Sequence, residues 1–158
     1  MENPNCPVTA SLLAFLGAAF GLSFASLGSA YGTWKSALGV FAVCELKPEF
    51  LYRSLLPVIM AGIVGIYGLV TAVIIGPVVS FPYHLLNGYA SFCGGISVGL
   101  AGLASGITIG VSGNASVRAV AENEKLLMGS MLILIFGEIL GLYGFITVII
   151  LYGKRAEC

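Results

Sequence analysis

The sequence predicts an all-α membrane protein whose four transmembrane helices are formed by two fused helical hairpins. Apolar residues make up 58% of the 158 residues and charged residues only 9%, whereas soluble domains carry roughly 25% charged residues. A core of this size cannot hide so much apolar surface from water, so part of the surface must face lipid. The net charge is zero, and we expect no nucleic-acid partner because the chain has no basic patch.

Four nearly uncharged stretches define the spans, and we treat the whole chain, residues 1–158, as one transmembrane domain. The spans are placed at about residues 8–34, 55–79, 88–114 and 126–152. Each exceeds the roughly 20 residues that a helix needs to cross about 30 Å of hydrocarbon. Helices are expected because a few segments in lipid must satisfy their own backbone hydrogen bonds.

The basic residues give the orientation. Five of the seven lie between spans one and two or between spans three and four: Lys35, Lys47, Arg53, Arg118 and Lys125. The positive-inside rule therefore places loops 35–53 and 115–125 in the cytoplasm and both termini in a lumen. Lys154 and Arg155, near the C-terminus, weaken this asymmetry.

The two halves of the chain resemble each other, at about residues 8–80 and 85–153. GIYGLV at residues 65–70 matches GLYGFI at residues 141–146, which is 76 positions later. GSAYG at residues 28–32 is more weakly similar to GITIG at residues 106–110. We interpret the chain as a duplicated hairpin whose copies have the same orientation.

Small residues recur every four positions in spans one and three, as at Gly17, Gly21 and Ala25 and again at Gly102, Gly106 and Gly110. Such rows let helices approach closely in lipid. A compact four-helix bundle would satisfy this pattern. Rows of this length in two equivalent spans favour an inner wall of many copies around an axis, with spans two and four as the outer, lipid-facing layer.

Glu138 is the only charged residue within a span, and it lies midway between Leu126 and Leu151. A charge at the bilayer centre costs about 2.5–3.5 kcal/mol or more, so such residues are usually functional. No Lys or Arg occupies any of the four spans. Facing lipid, Glu138 is expected to be protonated, and it ionises only where water or a cation on another subunit reaches it. These two states predict a proton carrier; the alternative is a permanently protonated Glu that hydrogen-bonds a neighbouring helix.

No motif for an enzyme, metal or cofactor is present. His84 is the only histidine, and the chain has no GxSxG, phosphate-loop or HExxH motif. Cys6, Cys44, Cys93 and Cys158 lack metal-ligand spacing. We therefore expect no catalytic residue, cofactor or metal ligand.

Four segments closely resemble the proteolipid (c) subunit of vacuolar-type proton ATPases. They are GSAYGT at residues 28–33, PVIMAGI at 57–63, SVGLAGLA at 97–104 and LILIFGEILGLYG at 132–144. The resemblance covers nearly the whole chain. Gly137 departs from it, because Ala commonly precedes the Glu. Closely related proteolipid paralogues also carry their Glu in span four, and the sequence does not separate them.

The resemblance implies a rotor ring of proteolipid copies, turned by ATP hydrolysis in a separate soluble sector, in the membrane of a vacuole or other acidic compartment. Glu138 would take a proton from a half-channel in the stator (a) subunit and carry it through lipid. It would release that proton beside a stator arginine. The cytoplasmic loops would contact the central-stalk (d) subunit.

The residues expected to line the proton site are Gly62, Ile63, Val64, Tyr67, Gly137, Leu142 and Tyr143. Aligned on the repeat, Glu138 corresponds to Gly62, so each chain has one proton site. Sodium-transporting relatives carry Thr and Gln where this chain has Ile63 and Val64. Because a bare cation needs several oxygen ligands, these apolar residues favour protons.

Two other functions compete with this interpretation. A channel of four-helix subunits should show a continuous polar stripe along a lumen, but the glycine rows are apolar. A purely structural scaffold leaves Glu138 unexplained.

Overall fold

The structure is a computed structural model and describes residues 7–79 and 83–153. Every regular element among these residues is helical. The helices are α1 (Thr9–Cys44), α2 (Leu51–Ser54), α3 (Leu56–Ile75), α4 (Leu85–Glu122) and α5 (Leu127–Tyr152), with short 3-10 turns at Pro48–Phe50, Gly76–Val78 and Glu124–Leu126. Four helical segments are long and apolar enough to cross a membrane: Thr9–Cys44, Pro48–Ile75, Leu85–Glu122 and Glu124–Tyr152. The structure thus confirms the predicted fold class.

Helices α1 and α4 are longer than the spans predicted for them. The predicted loops 35–53 and 115–125 are mostly helical, because α1 continues to Cys44 and α4 to Glu122. No proline interrupts either helix, so leaving the hydrocarbon ends the apolar pattern but not the ladder of backbone hydrogen bonds. At about 1.5 Å per residue, the 36 residues of α1 extend about 54 Å, well beyond a hydrocarbon layer of about 30 Å.

Local sequence explains where the helices begin and end. Pro48 and Pro57 occupy first-turn positions, where the missing backbone N–H is not needed. Pro77 begins the 3-10 turn that ends span two. His84 caps α4, because its Nδ1 accepts a hydrogen bond of 3.2 Å from the backbone N–H of Leu86.

The chain folds into two antiparallel hairpins that lie side by side. Helix α3 packs on α1, α5 packs on α4, and the most extensive contact joins α1 to α4. Gly88 lies against Ala10 near the start of both central helices, and Gly39 lies against Asn114 towards their ends. Helices α1 and α4 are therefore parallel, as expected for two hairpins of the same orientation.

The two hairpins are equivalent at an offset of 76 residues. A Cβ atom placed on Gly68 would lie 2.6 Å from the Cβ of Ala25, and one placed on Gly144 would lie 2.6 Å from the Cβ of Ala101. Because both members of this contact shift by 76 positions, α1 with α3 and α4 with α5 repeat one packing arrangement. The offset agrees with the Gly-Tyr-Gly match in the sequence.

The weaker match between residues 28–32 and 106–110 has a different structural meaning. Its offset is 78, and the matched glycines touch each other across the hairpin boundary: a Cβ on Gly106 would overlap the Gly28 carbonyl. Gly17 and Gly95 make the same contact. These glycines let two backbones meet directly, so this match marks a contact surface rather than equivalent positions.

Three apolar clusters fill the interior at successive depths. One surrounds Ile75 and Tyr83, the middle one consists of Ala61, Val64, Ile109 and Leu134, and the third surrounds Phe50 and Val117. Many large apolar side chains remain exposed on all four long helices, among them Phe15, Leu27, Ile59, Val73, Leu100, Phe136 and Ile150. Such a surface requires lipid or further copies of the chain around it.

The polar end of the molecule joins the two hairpins. The Arg53 guanidinium lies 3.3 Å from the Glu124 carboxylate, and the Lys47 ammonium donates a 2.8 Å hydrogen bond to the Ala121 carbonyl. The ion pair is exposed and contributes at most about 1 kcal/mol. Cys6, Cys158, Lys154 and Arg155, which entered the sequence predictions, lie outside the described residues.

Gly106→Val is expected to destabilise the fold, because the added side chain would overlap the Gly28 backbone. Overpacking of this kind costs about 1–3 kcal/mol. The measurement is the thermal midpoint of the purified protein in detergent, followed by circular dichroism. Gly129→Ala is the control, since a Cβ at Gly129 meets nothing within 4 Å. Equal midpoints for the two variants would contradict the role assigned to this contact.

Candidate functional site

The candidate site is centred on the carboxyl group of Glu138. Helix α5 places this residue halfway along its length, on the side that faces α3, where its side chain is half-buried. Helices α3 and α5 contain no Lys or Arg apart from Arg53 and Lys125 just before them. Within the chain the carboxyl group therefore has no cation to compensate a negative charge.

Tyr67 of α3 provides the hydrogen-bond donor to this group. Its hydroxyl donates to Oε1 of Glu138 over 3.2 Å, which is long for a bond between two oxygen atoms. The phenol ring stacks on Phe145, with 5.8 Å between the ring centroids and 23° between their planes. The ring contact fixes the direction of the hydroxyl, and the hydrogen bond fixes the carboxyl.

A second hydrogen bond fixes the backbone beside Glu138. The Ser105 hydroxyl on α4 is buried and donates to the Gly137 carbonyl over 2.7 Å. A Cβ on Gly141 would lie 3.2 Å from the Ser105 hydroxyl oxygen. Because Gly137 and Gly141 lack side chains, this turn of α5 lies directly on α4, and the hydroxyl reaches its backbone.

The surroundings of the site are apolar. The middle cluster of Ala61, Val64, Ile109 and Leu134 lies on the same helices, and each of its members is at most 1% exposed. Within the described ranges, no group of three His, Cys, Asp or Glu residues could hold a metal ion. A carboxyl group in this environment is stable in its neutral, hydrogen-bonded form.

The structure separates the residues predicted to line the site. Tyr67 and Gly137 lie at Glu138, as described above. Val64 is fully buried in the middle cluster, and Gly62 lines an open groove between α1 and α3. Ile63 and Leu142 are half-buried, and Tyr143 is 61% exposed. Within one chain, therefore, the Glu138 carboxyl is hydrogen-bonded by Tyr67 and not by Tyr143.

Sequence reasoning missed Ser105 and Phe145. Both are ordinary residues for a membrane helix, and their spacing alone does not show which neighbour they face. The repeat contained a usable signal for the serine. Ser29 is 76 positions before Ser105, and it approaches Gly65 as Ser105 approaches Gly141.

Fold and site together define a class of protein: a membrane protein of two equivalent hairpins with one ionisable side chain at mid-depth. Comparison with known proteins agrees. The family model that describes the C subunit of ATP synthase matches the chain twice, at residues 16–75 and 92–151, one match in each hairpin.

Curated relatives match the chain from end to end. The V-type proton ATPase 16 kDa proteolipid subunit of Chrysotila carterae is 50% identical, with 97% of each chain covered. The 16 kDa proteolipid c subunits of the V-type proton ATPases of Nephrops norvegicus and Bos taurus are each 46% identical. These alignments cover 99% and 97% of this chain, and 100% and 99% of the relatives. The chain belongs to the ATP synthase C-subunit family, together with these V-type proteolipid subunits.

Tyr67→Phe is expected to free the Glu138 carboxyl from its hydrogen bond, which contributes about 0.5–1.5 kcal/mol. The carbonyl stretching band of the protonated side chain should move to higher wavenumber, as measured by infrared spectroscopy of the purified protein. Subtracting the spectrum of Glu138→Gln assigns the band. Tyr143→Phe is the control and should leave the band in place. A shift in the control, or none in Tyr67→Phe, would contradict the assignment of the donor.

Proposed function

We propose that the chain is the proton-carrying proteolipid subunit of a V-type proton ATPase, and that Glu138 binds and releases the proton. The observation that carries this proposal is a single carboxyl group at mid-depth of a membrane helix, held by one neutral donor and by no cation. Such a group is stable when protonated and can ionise only when a charged or aqueous partner reaches it.

The single chain is incomplete as a transporter. Glu138 lies in an apolar layer, and no second carboxylate lies in any span to pass the proton on. We therefore propose that several copies form a ring, and that rotation carries each protonated Glu138 through lipid. A stator (a) subunit would provide two half-channels and the arginine that favours the ionised carboxylate.

The proposed role is non-catalytic. ATP hydrolysis would take place in the soluble sector of the complex and reach the ring through the central-stalk (d) subunit. The polar end with Lys47, Arg53 and Glu124 is the proposed contact surface for that stalk, because it presents both charge signs outside the membrane-spanning lengths. We propose an acidic endomembrane compartment, such as a vacuole, with this end in the cytoplasm and the termini in the lumen.

The geometry favours protons over sodium ions. A sodium ion would need several oxygen ligands, and the groups at the site are one carboxyl and one phenol hydroxyl. Val64 is fully buried among apolar side chains and Ile63 is half-buried, so neither supplies an oxygen. A proton needs only the carboxyl itself.

Glu138→Gln is expected to abolish ATP-driven acidification while the complex still assembles. Gln keeps the shape and can accept the Tyr67 hydrogen bond, but it cannot release a proton. The measurement is dye-monitored acidification of vesicles in which the variant replaces the wild-type chain, with assembly checked by co-purification of the soluble sector.

Glu49→Gln is the matched control for this experiment. It removes a carboxylate that is exposed at the polar end, and it should leave acidification unchanged. Acidification at the wild-type rate by an assembled Glu138→Gln complex would show that the Glu138 carboxyl is structural and that the proposed function is wrong.

The choice of ion gives a second test. Wild-type vesicles should acidify at the same initial rate in sodium-free buffer and in sodium buffer of equal ionic strength, because the site lacks the oxygen ligands that sodium requires. ATP-dependent uptake of sodium by the same vesicles would contradict the assignment of the proton as the transported ion.

A further inference from the structure

An open groove lies between α1 and α3. Its lining combines small, polar and apolar residues: Leu22, Ser26, Ser29, Ala30, Gly62, Gly65, Ile66 and Leu69. A Cβ on Gly62 would meet nothing within 4 Å. The groove corresponds to the region around Glu138 in the second hairpin, because Gly62 is the equivalent of Glu138 at the offset of 76 residues.

The occupant of this groove can be inferred from the contact between the hairpins within one chain. There, Tyr67 of the first hairpin meets three residues of the second. Its hydroxyl donates to Glu138, its ring stacks on Phe145, and its Cδ2 would lie 3.6 Å from a Cβ on Gly141. Tyr67 is therefore the side chain by which one hairpin docks on the next.

The same contact can be shifted by one hairpin. At the offset of 76, Tyr67 becomes Tyr143, and its three partners become Gly62, Gly65 and Leu69 of a first hairpin. All three of these residues line the open groove. Tyr143 itself is 61% exposed in the single chain. The repeat thus supplies both an unoccupied groove and an exposed tyrosine of matching position.

We propose that Tyr143 of one copy docks into the Gly62 groove of the next copy. This inference rests on the ring that is part of the proposed function, and it identifies a side chain that one copy contributes to its neighbour. Two equivalent hairpins that pack head to tail leave one free face at each end of the chain. Repeating the internal contact pairs these two faces and continues the array.

The absence of a carboxyl group distinguishes this contact from the one at Glu138. Gly62 leaves room for the phenol ring, and Ser26 and Ser29 place hydroxyl groups in the same groove. These neutral groups take up no proton at neutral pH. Contacts between chains are therefore proton-silent, whereas each contact within a chain contains the Glu138 carboxyl.

Cysteine cross-linking in the assembled complex tests this proposal. Leu69→Cys is placed in one copy and Tyr143→Cys in another, both in a background in which all four native cysteines are replaced by Ser. Leu69 and Tyr143 are 51% and 61% exposed, so neither change removes a packing contact within a chain. With a short bis-maleimide, we expect a covalent dimer on a denaturing gel.

Ile146→Cys is the matched control partner for Leu69→Cys. Ile146 is also exposed, at 42%, and lies one turn beyond Tyr143 on α5. Under the proposal it yields at least tenfold less dimer than Tyr143→Cys. Equal yields from the two α5 positions, or no dimer from Tyr143→Cys, would overturn the proposal.

Gly62→Phe provides a second, independent readout. Because a Cβ at Gly62 meets nothing within its own chain, the variant should keep its helical content in detergent. It should lose the cross-link between Leu69→Cys and Tyr143→Cys, since the phenyl ring fills the groove. An unchanged yield of dimer would overturn the proposal. Cross-linking does not depend on proton transport, so these outcomes are separate from those of Glu138→Gln.

Discussion

The structure is organised around one costly group, a carboxyl at the middle of a membrane helix with no cation in reach. Its neutral form needs a donor, which Tyr67 supplies, and a dry environment, which the cluster around Val64 and Leu134 supplies. Its position needs a rigid helix, and the Ser105 hydroxyl holds the adjacent backbone. A charged carboxylate in the same place would be strongly disfavoured, so the arrangement is suited to a group that is protonated most of the time.

Close backbone packing makes this precision possible. Lipid provides little apolar driving force between helices, so their association depends on tight contact and on hydrogen bonds. Gly28 and Gly106 bring the central helices together, and Gly137 and Gly141 bring α5 onto α4. A hydroxyl as short as that of Ser105 reaches a neighbouring backbone only at such a separation. The glycines of the central helices and the hydrogen bonds at the site are thus parts of one packing arrangement.

Composition and charge spacing predicted the four helices and singled out Glu138, because hydrophobic length and isolated charge are properties of the sequence itself. They did not predict the ends of α1 and α4, since a helix continues in water when no proline stops it. Glycine spacing predicted close neighbours but not their identity, so a contact offset of 78 resembled a second repeat. Gly62 and Tyr143 were grouped with Glu138 because sequence equivalence does not distinguish a position in the same site from the corresponding position one hairpin away.

The difference between the two hairpins has a mechanical consequence in the proposed ring. Every hairpin presents the same Gly-Tyr-Gly turn, but only the second carries a carboxyl group, because Gly62 stands where Glu138 would be. One turn of the ring therefore moves one proton per chain, half as many as a ring with a carboxyl on every hairpin. For a fixed free energy of ATP hydrolysis per turn, fewer protons each receive more energy. Loss of the first carboxyl thus trades the number of protons moved for the steepness of the gradient, which suits a pump that acidifies a compartment.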